Sequence, residues 1–285
     1  MASRSVNASK PCETVSDYLD EVRKIRKDWS NTRVRSKGAG RQLWFRGQSS
    51  SRWDLRPLIY RDAYIDAIES EIRLEFEGHS LGMAATTLSR NKWETYFLMQ
   101  HYGAPTRLLD WTGSPLAGLY FAVVDENEKA KSEGAAVWVF DAWRWNDLHF
   151  RNLSGPSLPG WEETEPYLQD LEDACNEERI SKRWPIALDP PSIDRRLASQ
   201  TARFLLFGKT RDLILAADET DQTERKNKKR SRLAQIVISS GSLEKMRLEL
   251  DDLGVNRRVL FPDLQGLGTY LSWEWKSFRK KRRLY

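Results

Sequence analysis

The spacing of hydrophobic positions changes several times along the chain, and each change marks an element. Val15, Tyr18, Leu19, Val22, Ile25 and Trp29 recur at intervals that place them on one face of a helix, with Thr14 or Ser16 as its cap. Residues 30–40 (SNTRVRSKGAG) read as a loop, and the aromatic run Gln42–Arg46, closed by Gly47, reads as a strand. Helices are expected over Ala63–Phe76 and Asn91–His101, with Gly103 stopping the second. Thr106–Thr112 reads as a strand. Ser114 before Pro115 is an N-cap followed by an N1 proline, which opens a helix through Val124. Ala135–Asp141, Phe204–Phe207, Leu213–Leu215, Ala234–Ser239 and Arg258–Phe261 read as strands. Gly241–Asp252 and Leu264–Trp275 read as helices. The polar segment Ala216–Arg232 is expected to be a mobile insertion.

No repeat is present, and helices and strands alternate irregularly. This predicts an α+β fold: a single mixed domain with a small, split β-sheet core flanked by helices. The domain would span 14–275, after a flexible lead-in over 1–13. It would carry a charged insertion near 217–232 and end in a basic tail over 276–285.

Composition narrows the class. Twelve Trp, ten Phe and nine Tyr in 285 residues supply enough apolar surface for a packed core, which excludes global disorder. No apolar run approaches the ~18 residues that cross a membrane, and the N-terminus has no apolar signal region. A cytoplasmic protein without a membrane partner is therefore expected, with Cys12 and Cys175 as free thiols. Three His (His79, His101, His149), with no CxxC or HxxxH spacing, offer no zinc pattern, so no metal is expected.

Charge is unevenly spread. The net charge is +5, but 225–232 (RKNKKRSR) and 276–285 (KSFRKKRRLY) hold six basic residues each. Without those twelve, 41 acids face 34 bases, so the body is acidic, and 162–178 alone holds eight acids. Basic runs beside abundant aromatics suit phosphate attraction and base stacking. Nucleic acid, RNA rather than DNA, is the expected partner through 225–232 and 276–285. The plain alternative is two solvated charged runs.

Three groups of residues carry candidate chemistry. Arg46 follows Leu43-Trp44-Phe45 and precedes Gly47 and Gln48, with Trp53 and Arg61 beyond. A guanidinium at a strand end suits bidentate phosphate binding, and a glycine beside it permits close ligand approach. Arg46 paired with a carboxylate such as Asp110 is the structural alternative. The densest group is Gln100-His101-Tyr102-Gly103-Ala104-Pro105-Thr106-Arg107-Leu108-Leu109-Asp110-Trp111-Thr112, running into Ser114-Pro115-Leu116-Ala117-Gly118-Leu119-Tyr120-Phe121-Ala122. There His101 is a candidate general base or a structural residue, and Asp110 a site acid or a partner of Arg107 or Arg46. The third group holds Gln200, Phe204 and Phe261-Pro262-Asp263. Asp263 is either a functional acid at a strand exit or the cap of the next helix.

Phe45-Arg46-Gly47, the Gln100–Ala122 block, Gln200 with Phe204, and Phe261-Pro262-Asp263-Leu264 resemble the FRG domain, a bacterial family named for its Phe-Arg-Gly signature. The resemblance runs from about Gln42 to Leu271, most of the chain. A second resemblance is to ADP-ribosyltransferases of the arginine-serine-glutamate type, and it rests on Arg46 and on Asp110-Trp111-Thr112 running into Ser114. It implies a transferase that takes NAD as substrate. Arg46, Asp110, Tyr120 and Asp263 would then be catalytic. Arg46, Gly47, Gln48, His101, Tyr102, Arg107, Trp111, Thr112 and Ser114 would bind the dinucleotide. The implied role is a bacterial effector or toxin, in phage defence or with an antitoxin partner, whose acceptor is RNA or protein. The family glutamate is missing: Val255–Pro262 carries Arg257 and Arg258 instead, so Asp263, Glu274 or Asp110 would have to serve. A metal-independent nuclease using His101 and Tyr102, and a non-catalytic nucleotide sensor or adaptor, are the other readings.

Overall fold

The computed structural model describes residues 10–30, 42–61, 69–80, 92–124, 133–150, 153, 155–156, 164, 166–167, 183–189, 198–223 and 232–282, with side chains through 276. All of the loop expected over 30–40 except Ser30, which ends a helix, most of the acidic stretch 162–178, Cys175, the basic run 225–232 except Arg232, and 283–285 lie outside these residues.

Six antiparallel strands form one sheet. In chain order they are β1 (Trp44–Gln48), β2 (Leu108–Thr112), β3 (Ala135–Phe140), β4 (Ile186–Leu188), β5 (Ala202–Leu206) and β6 (Leu233–Ile238), arranged β4-β5-β2-β1-β3-β6. The fold is α+β, as the mixed pattern implies. The sheet is continuous rather than split, although its centre is narrow. β1 pairs with β3 along five residues and β2 with β5 along five, yet β1 and β2 meet only at Phe45↔Thr112.

The helices are α1 (Val15–Ser30), α2 (Glu69–Ser80), α3 (Lys92–His101), α4 (Pro115–Val123), α5 (Ala142–His149), α6 (Leu213–Thr223), α7 (Leu243–Asp252), α8 (Arg257–Leu260) and α9 (Leu264–Arg282). Local chemistry explains several ends. Thr14 and Asp17 cap α1 reciprocally, each backbone N–H donating to the other's side chain at 3.0 and 3.1 Å. Ser114 Oγ accepts from the Ala117 N–H at the start of α4. Gly103, with φ of +83°, ends α3.

Two expected strands are helices. Leu213–Leu215 opens α6, where Asp212 Oδ1 accepts from the Ile214 N–H at 2.8 Å. Three apolar residues are too few to separate a strand from a buried helical turn. Helix α6 also occupies the first part of the expected mobile insertion. Arg258–Phe261 falls largely in α8, where Asn256 Oδ1 accepts from the Val259 N–H. Strand β4 and helix α5, capped by Asp141, were not anticipated. The backbone of α9 runs through the start of the expected basic tail, to Arg282.

The core has three parts. Phe45, Val137 and Val139 face α1, α4 and α7 on one side of the β1-β3-β6 half. On the same side of the other half, Leu108, Phe204 and Leu206 pack against Trp93, Tyr96 and Phe97 of α3. On the opposite side, Trp44, Leu109, Trp111, Trp138 and Phe140 form one cluster across both halves with α5 and α6. The sheet is thus backed continuously on one face and covered by two separate groups of helices on the other. The gap between those groups lies over the β1–β2 seam.

Candidate functional site

A cavity of about 390 Å³ occupies that gap. Such a volume is ordinary for a small-molecule site, ~300–1,000 Å³. Arg46 and Gly47 from β1, Asp110 and Trp111 from β2, and Gln100 and His101 from the end of α3 line it. Phe121, Phe204 and Phe261 form apolar walls, and Trp53 and Arg61 stand at one side.

Past Phe45↔Thr112 the strands diverge, and Arg46 spans the opening. Its Nη1 donates to the Asp110 carbonyl at 2.6 Å and lies 4.0 Å from Asp110 Oδ2. Its Nε has no hydrogen-bond partner among the described residues. Burial pushes the Arg46 guanidinium down to about 10, with Asp110 opposing and Arg61 adding to the shift. It therefore stays charged at neutral pH. The Asp110 side chain is 57% exposed, and Gln100 Nε2 donates to its Oδ2 at 2.8 Å. Gln100 is itself positioned by Thr106, whose hydroxyl donates to Gln100 Oε1. Asp110 is the one carboxylate among the described residues lining the cleft.

Other expected site residues reach the cleft in structural roles. Gln48 donates to the Asp54 carbonyl and accepts from Trp138 Nε1. Thr112 donates to the Gln200 carbonyl and accepts from the Ser114 N–H, pinning β2 to the start of β5 and α4. Trp111 packs its ring on Phe140, 5.3 Å between centroids, and its Nε1 is unpaired among the described residues. The His101 ring meets Tyr102 edge-on at 4.9 Å. Gly47 lines the cleft and also makes room for a helix: a Cβ there would lie 2.1 Å from the Gly118 carbonyl oxygen of α4.

Five expected site residues do not line the cleft. Arg107 is buried, its Nε on Glu69 Oε2 at 2.6 Å, and it also bonds the carbonyls of Tyr167 and Phe207. Burial alone would lower its pKa, but Glu69, Tyr96 and Tyr60 outweigh this and raise it. Tyr120 points into the core between α4 and α7, where burial raises its pKa. Its neighbour Phe121 faces the cleft instead. Ser114 serves as a cap, and Tyr102 lies 73% exposed outside the lining. Asp263 caps α9, accepting from the Gly266 N–H at 2.6 Å, in line with its plainer reading.

Trp53, Arg61, Gln100, Phe121, Gln200, Phe204 and Phe261, which the sequence placed in the three candidate groups without a specific role, also line the cleft. Gln200 Nε2 donates to the Leu260 carbonyl, which ties β5 to the segment bearing Phe261. That junction joins residues 60 apart, so local pattern carries no signal of it. Among the described residues no three His, Cys, Asp or Glu cluster as metal ligands, and no helix is long and apolar enough to cross a membrane.

One family model matches the chain, over the segment that runs from β1 through α4. Residues 41–131 match the FRG domain family model. The matched segment contains Arg46, Gly47, His101, Asp110 and the whole Gln100–Ala122 block. The match ends short of Gln200, Phe204 and Phe261, which the expected resemblance had included and which complete the cleft from outside it. No curated protein and no solved structure matches the chain, so no match links it to ADP-ribosyltransferases.

Proposed function

We propose that the cleft over the β1–β2 seam binds NAD and transfers its ADP-ribose to an acceptor, with nucleic acid, RNA above all, as the favoured acceptor. The observation that carries this reading is the pairing of Arg46 and Asp110 across the opened strands. A charged guanidinium and a carboxylate stand together in a cavity walled by aromatic rings. Arg46 would grip the diphosphate, and the aromatic walls would take the nicotinamide ring. In the reaction the bond from ribose C1′ to the pyridinium nitrogen breaks, and nicotinamide leaves with the electron pair. The acceptor's oxygen or nitrogen bonds C1′ and loses its proton to a base, a role His101 would take. Asp110 would balance the positive charge developing on the ribose and so replace the missing family glutamate. In this reading the protein is a cytoplasmic effector or toxin, consistent with an antitoxin partner or a role in phage defence.

His101 beside Arg46 and Arg61 also favours a second reading, a metal-independent nuclease, although its expected partner Tyr102 lies outside the cleft. One assay separates the readings. Purified protein is incubated with nicotinamide-labelled and adenylate-labelled NAD together with RNA, DNA or lysate protein, with Arg46→Ala as control. The proposal expects nicotinamide release and adenylate transfer that Arg46→Ala abolishes. RNA shortening without NAD would establish the nuclease. Tight nucleotide binding with neither reaction would establish a sensor.

A further inference from the structure

The cleft continues beyond Trp53 and Arg61. A second cavity of about 320 Å³ adjoins it, lined by Gln48, Arg52, Trp53, Asp54, Arg56 and Arg61. Gln48, Trp53 and Arg61 line both cavities, so the two form one track from the strand seam to the surface. Three arginines face one aspartate along its outer part. Arg56 is braced by Asp54 at 3.1 Å and by buried Asp212 at 3.2 Å. The Arg52 side chain is 74% exposed, with Glu133 3.6 Å away. Between these guanidinium groups Trp53 leaves 44% of its surface in solvent.

A lone exposed aromatic is ordinary. An exposed indole at the junction of two cavities, flanked by arginines, is a stacking platform with phosphate-binding groups on either side. Small-molecule sites enclose most of their ligand. Here the outer residues remain open to solvent, which suits a chain that continues past them. A base stacks on an indole only when it has left its own helix, which favours a single strand over a duplex.

We infer that this arginine–tryptophan groove holds a single strand of nucleic acid, phosphates against Arg52, Arg56 and Arg61 and one base on Trp53, and feeds it into the cleft. This deepens the transferase reading by placing the acceptor on the domain body rather than on the basic runs at 225–232 and 276–285. It rests on that reading only for the word acceptor, because the binding itself needs no NAD.

The test is anisotropy of a fluorescent oligouridylate of about ten nucleotides, measured without NAD on the full chain. The full-length variants are Trp53→Ala, Trp53→Tyr and Arg52→Ala. Two further full-length variants remove two of the six charges from each run, Lys228→Gln with Lys229→Gln, and Lys280→Gln with Lys281→Gln. Trp53→Ala should weaken binding about tenfold or more, while Trp53→Tyr restores most of it. Arg52→Ala should lower the slope of log affinity against log salt by about one unit. Three results would overturn the inference. They are full affinity in all the groove variants, affinity lost only in the variants that lower the charge of the runs, and competition by duplex or free mononucleotide as strong as by the single strand. Nicotinamide release by the unaltered protein is followed in parallel. If it is absent while groove-dependent binding persists, the transferase reading fails and the groove stands.

Discussion

Gly47 and Arg46 are neighbours with opposite duties. Gly47 faces α4, where any Cβ would meet the Gly118 carbonyl oxygen at 2.1 Å and the Ala122 nitrogen at 2.4 Å. Both contacts are backbone, so no side chain can rotate away. Gly47→Ala should destabilise the protein by about 3 kcal/mol or prevent folding, which a urea titration would read. Arg46 reaches the cleft, so its removal should cost activity far more than stability. Cys12 shows what burial does to a thiol. Its thiol is 3% exposed, and burial pushes it up to about 11, with Glu21 and Asp17 adding and Lys24 opposing. The folded value lies above the ordinary 9.0, so the fold favours the protonated thiol. That contribution is present below pH 9 and is lost as pH rises through about 11. At about pH 8, iodoacetamide should leave Cys12 unmodified in the native protein and alkylate it in urea, as read by peptide mass. Rapid alkylation in the native state would contradict the burial.

At the scale of elements, the site depends on where β1 and β2 part company. Two devices hold the parted strands. Thr112 anchors β2 to Gln200 and Ser114, while Arg107 anchors its start through Glu69. Glu69 accepts from the Arg107 backbone N–H, the Arg107 Nε and the Tyr96 hydroxyl, all buried. Glu69→Ala would strand a buried guanidinium and should cost about 3–5 kcal/mol, measured by denaturant unfolding. A loss below 1 kcal/mol would show that Arg107 finds other partners. Among the elements that the sequence predicted correctly, the local signal is plainest in the stripe and cap of α1, Ser114-Pro115 at α4, and Gly103 after α3. The errors have local causes as well. Leu213–Leu215 and Arg258–Phe261 look like strands because short apolar runs fit both periods. Their caps, Asp212 and Asn256, decide for helix.

At the scale of the molecule, two helix groups cover separate halves of one sheet face and leave the cleft between them. That arrangement explains which parts of the site were legible. Arg46, His101 and Asp110 sit in dense motifs, and their residue types advertised chemistry. Gln200, Phe204 and Phe261 arrive from distant parts of the chain, and only the order of the strands brings them in. Arg107 and Tyr120 share the densest motif with Asp110, yet strand and helix alternation turn them into the core. Charge is placed differently as well: Arg52, Arg56 and Arg61 line the outer cavity within an acidic body, apart from the two basic runs, with Arg52 and Arg56 paired to acids.

The most direct measurement compares two aspartates. Nicotinamide release from NAD is followed for the unaltered protein, Asp110→Asn and Asp263→Asn. Asp110 lines the cleft beside Arg46, whereas Asp263 caps a helix. Asp110→Asn should lower the rate about 10²-fold or more, the usual scale for removing one group that stabilises transition-state charge. Asp263→Asn should release nicotinamide at the unaltered rate. If the unaltered protein releases none with any acceptor, or if the two variants fall together, the cleft over the β1–β2 seam is not a site of ADP-ribosyl transfer.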